Sequence, residues 1–390
     1  MRSLAESVLD SGWTPLCIDF FGDSDLRQML TRRVGRYLGA IESFRELPNR
    51  VAGIPADIPL IWGGGLENEP GVLESIAAQR PVCGVSLDFV RTVREPQELD
   101  QLVLGTALRR PRRVSAAPVE ATRRWLRKPY RSGGGLGIEF FEASRCSPPE
   151  PVKGTYLEEF IEGLPFSVVV YGDGRGQATV IGSSLLLSGL TELGARGFQY
   201  CGNLGPAQMP GAMHRDVSNA VKTLASRTLL GGVIGLDLVA GAEGVFLLEV
   251  NPRLTASHWL FESGSSGHLV RLQVGGLGQT STLGGSSGPS AVQIGVQLIL
   301  WNQQTQKVPD LSSLRLSGGF RFADVPEPGV LGESGTPMCS LLGTGASAAQ
   351  LIDALAENSP AIETAGVRAA AIQARLRRLM EEAARAGFRC

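Results

Sequence analysis

Lysine is almost missing from this sequence: Lys128, Lys153, Lys222 and Lys307 are the only four among 37 basic residues in 390. Any lysine in a patterned context therefore stands out from the arginine background. The three histidines, His214, His258 and His268, lack metal-ligand spacing. Six scattered cysteines form no Cys-x-x-Cys pair, which argues against a zinc site and a disulfide framework and predicts a reducing, cytoplasmic setting. No run approaches about 18 uncharged apolar residues, so a spanning helix is not expected. Arg2, Glu6 and Asp10 interrupt the start, so no secretory signal is expected either. A net charge of −1 points to neither nucleic acid nor a membrane as partner. Two phosphate loops are absent as well, the Gly-x-x-x-x-Gly-Lys-Ser/Thr run and a Gly-x-Gly-x-x-Gly turn opening a helix.

What is present centres on Trp125-Leu126-Arg127-Lys128-Pro129-Tyr130-Arg131-Ser132-Gly133-Gly134-Gly135-Leu136-Gly137-Ile138. It reads as a strand delivering a lysine, a glycine loop, and the start of another strand. Glycines let backbone N–H groups approach an anion closely, and the lysine adds a point charge for phosphate. A surface hairpin with a glycine turn is the plainer alternative.

The length suggests about two to four domains. Residues 1–12 are predicted helical, 15–23 a buried strand, 25–38 a helix, 58–62 a second strand ending at Gly63-Gly64-Gly65, and 71–78 a helix. This alternation predicts a small parallel sheet, with the glycine turn as a candidate site at a strand end. The Arg-rich segment 91–120, with one helix near 97–108, reads as a connection. Short antiparallel strands follow over 154–182, then an amphipathic helix over 215–230. Strands at 232–239 and 244–251 form a tight hairpin. Residues two apart on a strand share a face, so Glu249 and Asn251 point the same way and Asp237 can join them. These oxygen ligands suit magnesium, which binds through one or two carboxylates plus phosphate oxygens. Arg253 follows, a guanidinium suited to charge on a transferred phosphoryl group. Residues 275–290 read as a Gly/Ser linker, and the Gly-x-Ser-x-Gly pattern at 284–288 lacks the context of a nucleophile elbow. Short strands near 292–300 and 320–323 and a helix over 362–386 read as a β-rich C-terminal module.

The combination of Lys-Pro-x-x-Ser-Gly-Gly-Gly-x-Gly-Ile at 128–138, Leu-Glu-Glu-Phe-Ile-Glu-Gly at 157–163, Leu-Asp-Leu-Val at 236–239 and Leu-Leu-Glu-Val-Asn-Pro-Arg at 247–253 resembles the ATP-grasp superfamily of carboxylate ligases. It looks like a carboxylate-amine ligase branch. The resemblance implies an α/β fold of the α+β ATP-grasp kind: a Rossmann-like pre-ATP-grasp domain over 1–105, a two-subdomain core over 106–275, a linker over 276–290 and the C-terminal module over 291–390. It implies ATP and Mg2+, with Mn2+ as the alternative ion. It casts Lys128 as the lysine on the α- and β-phosphates, Gly133, Gly134, Gly135 and Gly137 as the lid, and Glu159 and Ile161 as the segment reading adenine. Asp237, Glu249 and Asn251 become metal ligands, and Arg253, with Lys128, catalytic. The acidic ribose contact usual after the Phe-Ile-Glu-Gly segment is missing, leaving Glu162 or Ser167. A second basic residue before Lys128 has no assigned position, and His258 is open between packing and proton transfer. The implied activity is amide formation between a small carboxylate and an amine through an acyl phosphate, with C1-carrier cofactor biosynthesis as one setting and a homodimer as one assembly. A biotin-carboxylase-like carboxylase and a catalytically inactive nucleotide binder are the alternatives.

Overall fold

In the computed structural model, residues 1–114, 123–142, 152–262, 267–275 and 293–390 are described. The chain opens with helix α1 (Arg2–Asp10), strand β1 (Leu16–Asp19), helix α2 (Ser24–Arg32) and strand β2 (Arg36–Ala40). β1 and β2 pair in parallel, Cys17 opposite Tyr37. The helix expected to run to residue 38 stops at Arg32. Val34 takes a left-handed φ of 65°, and a Cβ on Gly35 would lie 2.4 Å from Leu30 Cδ2. The apolar spacing of Val34 and Leu38 therefore belongs to a turn and a strand. The strand expected at 58–62 makes one parallel bridge, Leu60 to Val82. Helices α3 (Leu47–Ala52), α4 (Pro70–Ala77), α5 (Leu87–Arg94) and α6 (Pro96–Val103) follow. α5 was not anticipated in the Arg-rich stretch. Ser86 caps it by accepting from Phe89 N–H, and Phe89, Val90 and Val93 bury its inner face.

A four-stranded antiparallel sheet comes next, in the order β3 (Arg113–Val114), β6 (Thr155–Glu159), β4 (Trp125–Pro129), β5 (Glu139–Phe141). The larger sheet is built on β7 (Gly163–Asp173), β8 (Ala178–Ser188), β9 (Tyr200–Gly205), β10 (Gly231–Gly241) and β11 (Gly244–Asn251). β7 is buried on both faces through Phe166, Val168, Val169 and Val170. Helix α7 (Gly211–Thr228) buries Val217, Ala220, Val221, Leu224 and Ala225, the spacing of one helical face. Helix α8 (His268–Gly275) packs against β10.

The expected linker at 276–290 and the 284–288 pattern lie outside the described residues. Beyond them come β12 (Ile294–Trp301), β13 (Gln306–Lys307), β14 (Phe320–Ala323), β15 (Leu331–Gly332) and β16 (Pro337–Gly345). β12, β16 and β14 extend the large sheet through β9, giving eight strands in the order β11-β10-β7-β8-β9-β12-β16-β14. Helices α9 (Ala348–Glu357), α10 (Ser359–Thr364) and α11 (Ala369–Arg385) close the chain. The single helix expected over 362–386 breaks at Gly366, whose φ is 79°.

Candidate functional site

β4 places Lys128 opposite Tyr156 of β6, and Glu158 lies two residues along on the same face. The Lys128 ammonium donates to Glu158 Oε1 at 2.7 Å, with only 1% of the glutamate side chain exposed. Burial by itself would lower the lysine pKa; the negative charge of Glu158 more than offsets it and holds the pKa above the ordinary value. Sequence reading did not single out Glu158, although its alternation with Tyr156 was available.

The glycine loop folds back on the large sheet. Tyr200 N–H donates to Gly134 O at 2.8 Å, and a Cβ on Gly135, whose φ is 74°, would sit 1.9 Å from Phe198 O. Only glycine fits that approach. Ser132 O, at the loop's start, accepts from Arg94 at 2.8 Å.

On the hairpin, Asp237 and Glu249 are direct cross-strand partners. Asp237 Oδ1 accepts from Ser167 Oγ and Oδ2 from Asn251 Nδ2, both at 2.9 Å. Burial, then the charge of Glu249, pushes the Asp237 carboxyl up to about 6. Asn251 Oδ1 accepts from Arg253 at 3.2 Å. Glu249 itself is ion-paired with Arg94 at the end of α5. The two carboxylates and the amide thus share one face. Among the described residues no cluster of three or more His, Cys, Asp or Glu could hold a metal, so a cation here would take two carboxylates and the amide, a donor set that fits magnesium.

Arg253 is gripped by Glu67, whose Oε1 accepts from Nε at 3.0 Å and Nη2 at 2.9 Å. Glu67 is buried and sits two residues after the Gly63-Gly64-Gly65 turn; a Cβ on Gly64 would lie 3.1 Å from Arg253 Nη2. The turn therefore does border the site. Arg94 and Glu67 had no sequence signal, since the first was one arginine of many and the second one acid beside a turn.

At the other end, Glu159 pairs with Arg123, and its N–H donates to Arg112 O at 2.8 Å. Phe160, Ile161, Glu162 and the hairpin residues Glu243 and Phe246 line a cavity of about 490 Å³, together with Arg110. Burial lowers the Arg110 pKa, opposed by the charges of Glu158, Tyr156 and Glu249, which connects this cavity electrostatically to Glu158, the partner of Lys128, and to the hairpin. Arg110 precedes β3, where no basic residue had been assigned. Ser167 is buried and bonded to Asp237, whereas Glu162 faces the cavity. His258 is not part of the cluster: its ring contacts Ser7 Oγ at 3.1 Å and Thr255 O at 2.8 Å, and burial lowers its pKa to about 4. It packs neutral against α1.

Residues 101–257 match the family model described as an ATP-grasp domain. A search of curated proteins finds no match. Among solved structures, the biotin carboxylase domain of the Hydrogenobacter thermophilus 2-oxoglutarate carboxylase, in complex with MgADP, ADP and bicarbonate, superposes with a TM-score of 0.66 at 12% identity, covering 93% of this chain and 87% of that one. A carboxyaminoimidazole ribonucleotide synthase from Aspergillus clavatus complexed with ATP gives a TM-score of 0.64 at 15% identity, covering 94% and 95%. The biotin carboxylase domain of a single-chain bacterial carboxylase gives 0.61 at 16%, covering 99% and 97%. At these identities the likeness is one of fold.

Proposed function

We propose, on the premise that this chain carries an ATP-grasp domain over residues 101–257, that it is an ATP-dependent carboxylate-amine ligase. The observation that carries the reading is the network from Ser132 O through Arg94 to Glu249, beside Asp237, Asn251 and Arg253. It joins the glycine loop, the acidic hairpin and the N-terminal segment in one polar network.

In this reading the adenine lies in the cavity beside Phe160 and Ile161, and Glu162 receives the ribose hydroxyls. Lys128 and the loop N–H groups hold phosphate oxygens, with Arg110 as the second cation. Asp237, Glu249 and Asn251 would hold magnesium, which supplies charge neutralisation at the phosphates when bound. Arg253, oriented by Glu67, faces the transferred phosphoryl group. A carboxylate oxygen attacks the γ-phosphorus, the bond to the bridging oxygen breaks, and ADP leaves. The amine lone pair then attacks the acyl phosphate; phosphate departs and the nitrogen loses a proton, leaving an amide. The loop over the site keeps water from the acyl phosphate. Positioning and electrostatics supply the catalysis.

The test is a mass-spectrometric screen of acid and amine metabolite pools with the purified protein and Mg-ATP, C1-carrier cofactor intermediates included. We expect ADP and phosphate to appear only with a matched pair, and a product equal to their sum less water. ATP use driven by bicarbonate alone would establish the carboxylase reading instead. Nucleotide binding without any turnover would identify an inactive relative. Among the described residues no helix is long and apolar enough to cross a membrane.

A further inference from the structure

A second cavity, of about 220 Å³, lies in the N-terminal segment at the carboxyl end of β1. It is walled by aromatic and aliphatic side chains, among them Phe20, Phe44, Ile54 and Trp62. A dry cavity of about 150 Å³ is enough to take up benzene, so this one can hold an aromatic or branched aliphatic body. Its wall is braced: the buried Arg80 guanidinium donates to the carbonyls of Val51, Ile54, Pro55 and Ile58.

Two polar groups in this apolar lining are unsatisfied. Asp19 is 7% exposed; its Oδ1 accepts from Gly22 N–H at 2.9 Å and the Tyr37 hydroxyl at 3.1 Å. Its Oδ2 is buried with no hydrogen-bond partner among the described residues, and so is Trp62 Nε1. A buried carboxylate oxygen without a donor costs several times a normal hydrogen bond, so its natural complement is a cationic N–H group brought by a ligand. The cavity is also bordered by Gly63 and Gly64, and Gly64 abuts the Arg253 guanidinium. One end of the cavity thus meets the group assigned to the reacting phosphate, while an acid lies within its lining.

We propose that this cavity binds the acid to be activated, and that this acid is a small aromatic or branched aliphatic carboxylate carrying a cationic nitrogen. The nitrogen pairs with Asp19, the apolar body fills the cavity, and the carboxylate emerges past Gly64 beside Arg253. This rests on the ligase reading for the reacting end, but the cavity's preference for a cation does not depend on turnover.

The experiment is calorimetric titration of the full chain, saturated with magnesium and β,γ-imido ATP, with L-phenylalanine, 3-phenylpropanoate and phenethylamine. We expect phenylalanine to bind at least tenfold tighter than 3-phenylpropanoate, which lacks the cation, and than phenethylamine, which lacks the carboxylate. Asp19→Asn should remove the advantage over 3-phenylpropanoate and leave that acid's own affinity within twofold. Ile54→Trp, which enlarges a side chain of the cavity wall and leaves Asp19 itself unaltered, should weaken all three at least tenfold and leave nucleotide affinity unchanged. Equal binding of phenylalanine and 3-phenylpropanoate, an unchanged ratio in Asp19→Asn, no effect of Ile54→Trp, or no binding of any probe overturns the proposal. Nucleotide affinity, titrated first, separates the two readings: its absence in the wild type removes the ligase reading, whereas probe failure with nucleotide bound removes only the cavity assignment.

Discussion

Replacing Lys128 by methionine strips Glu158 of a partner at 2.7 Å and leaves a carboxylate that is 1% exposed, with Arg113 at 3.8 Å and the charge of Arg110 for compensation. Breaking one side of a buried ion pair costs about 3–5 kcal/mol, chiefly because the remaining charge stays desolvated. An unfolding entropy near 2.1 cal/mol/K per residue amounts to roughly 0.8 kcal/mol/K for 390 residues, so the variant should melt about 5 °C lower. Glu158→Gln should cost a similar amount. The double variant Lys128→Met, Glu158→Gln should be no worse than either alone, a coupling of about 3–5 kcal/mol in a double-mutant cycle. The second arm is ligand. Mg-ATP at about 100 times its Kd stabilises the wild type by about 2.7 kcal/mol, a rise of about 3 °C. Both variants lacking Lys128 should lose that rise, whereas Glu158→Gln keeps part of it because the lysine remains. Thermal melts with and without Mg-ATP read all four proteins. Additive penalties would refute the pair as an energetic unit, and a Lys128→Met variant that retains the full rise would refute the lysine as a phosphate ligand.

Two other perturbations probe the hairpin. Arg94→Ala frees Glu249 from its ion pair and Ser132 O from its donor; calorimetry without nucleotide should show tighter magnesium binding than in the wild type, and unchanged affinity would show that Arg94 and the cation do not compete for Glu249. The second is pH. Asp237 titrates near 6 in the folded protein, above its unfolded value of about 3.9, so the folded state holds the proton more tightly. Its contribution to stability is therefore full below about pH 4, declines as pH rises to about 6, and is absent above. Asp237→Asn should abolish that slope in melts from pH 4 to 7.5. Magnesium must displace the same proton, so Mg-ATP affinity of the wild type should fall up to about tenfold per unit below pH 6. An affinity flat from pH 7 to 5 would rule Asp237 out as a ligand.

The legible part of the site is the part written locally. Lys128 and the loop are contiguous, and Asp237, Glu249 and Asn251 lie on two adjacent strands joined by a tight turn, so period-two alternation alone puts them on one face. The large sheet's central strands were equally readable, because Val168, Val169 and Val170 in one run need cover on both faces. Misreadings came where short apolar stretches fit two periods. Val34 and Leu38 fit a helix but lie beyond its end, and the apolar run at 58–62 serves as a cavity wall with one bridge instead of a strand.

Sequence by itself determined the chemistry available here: one lysine before a glycine loop, two acids and an amide at hairpin spacing, and an arginine after them. Those are short-range patterns, and backbone geometry carries them from residue order to a shared face. Tertiary structure decided who completes them. Glu67 reaches Arg253 across 186 residues and Arg94 reaches Glu249 across 155, and three strands beyond residue 293 join the sheet that supports the hairpin. Contacts at such separations depend on how whole layers pack, and in a chain with this many arginines no local pattern marks the one that will be buried beside an acid.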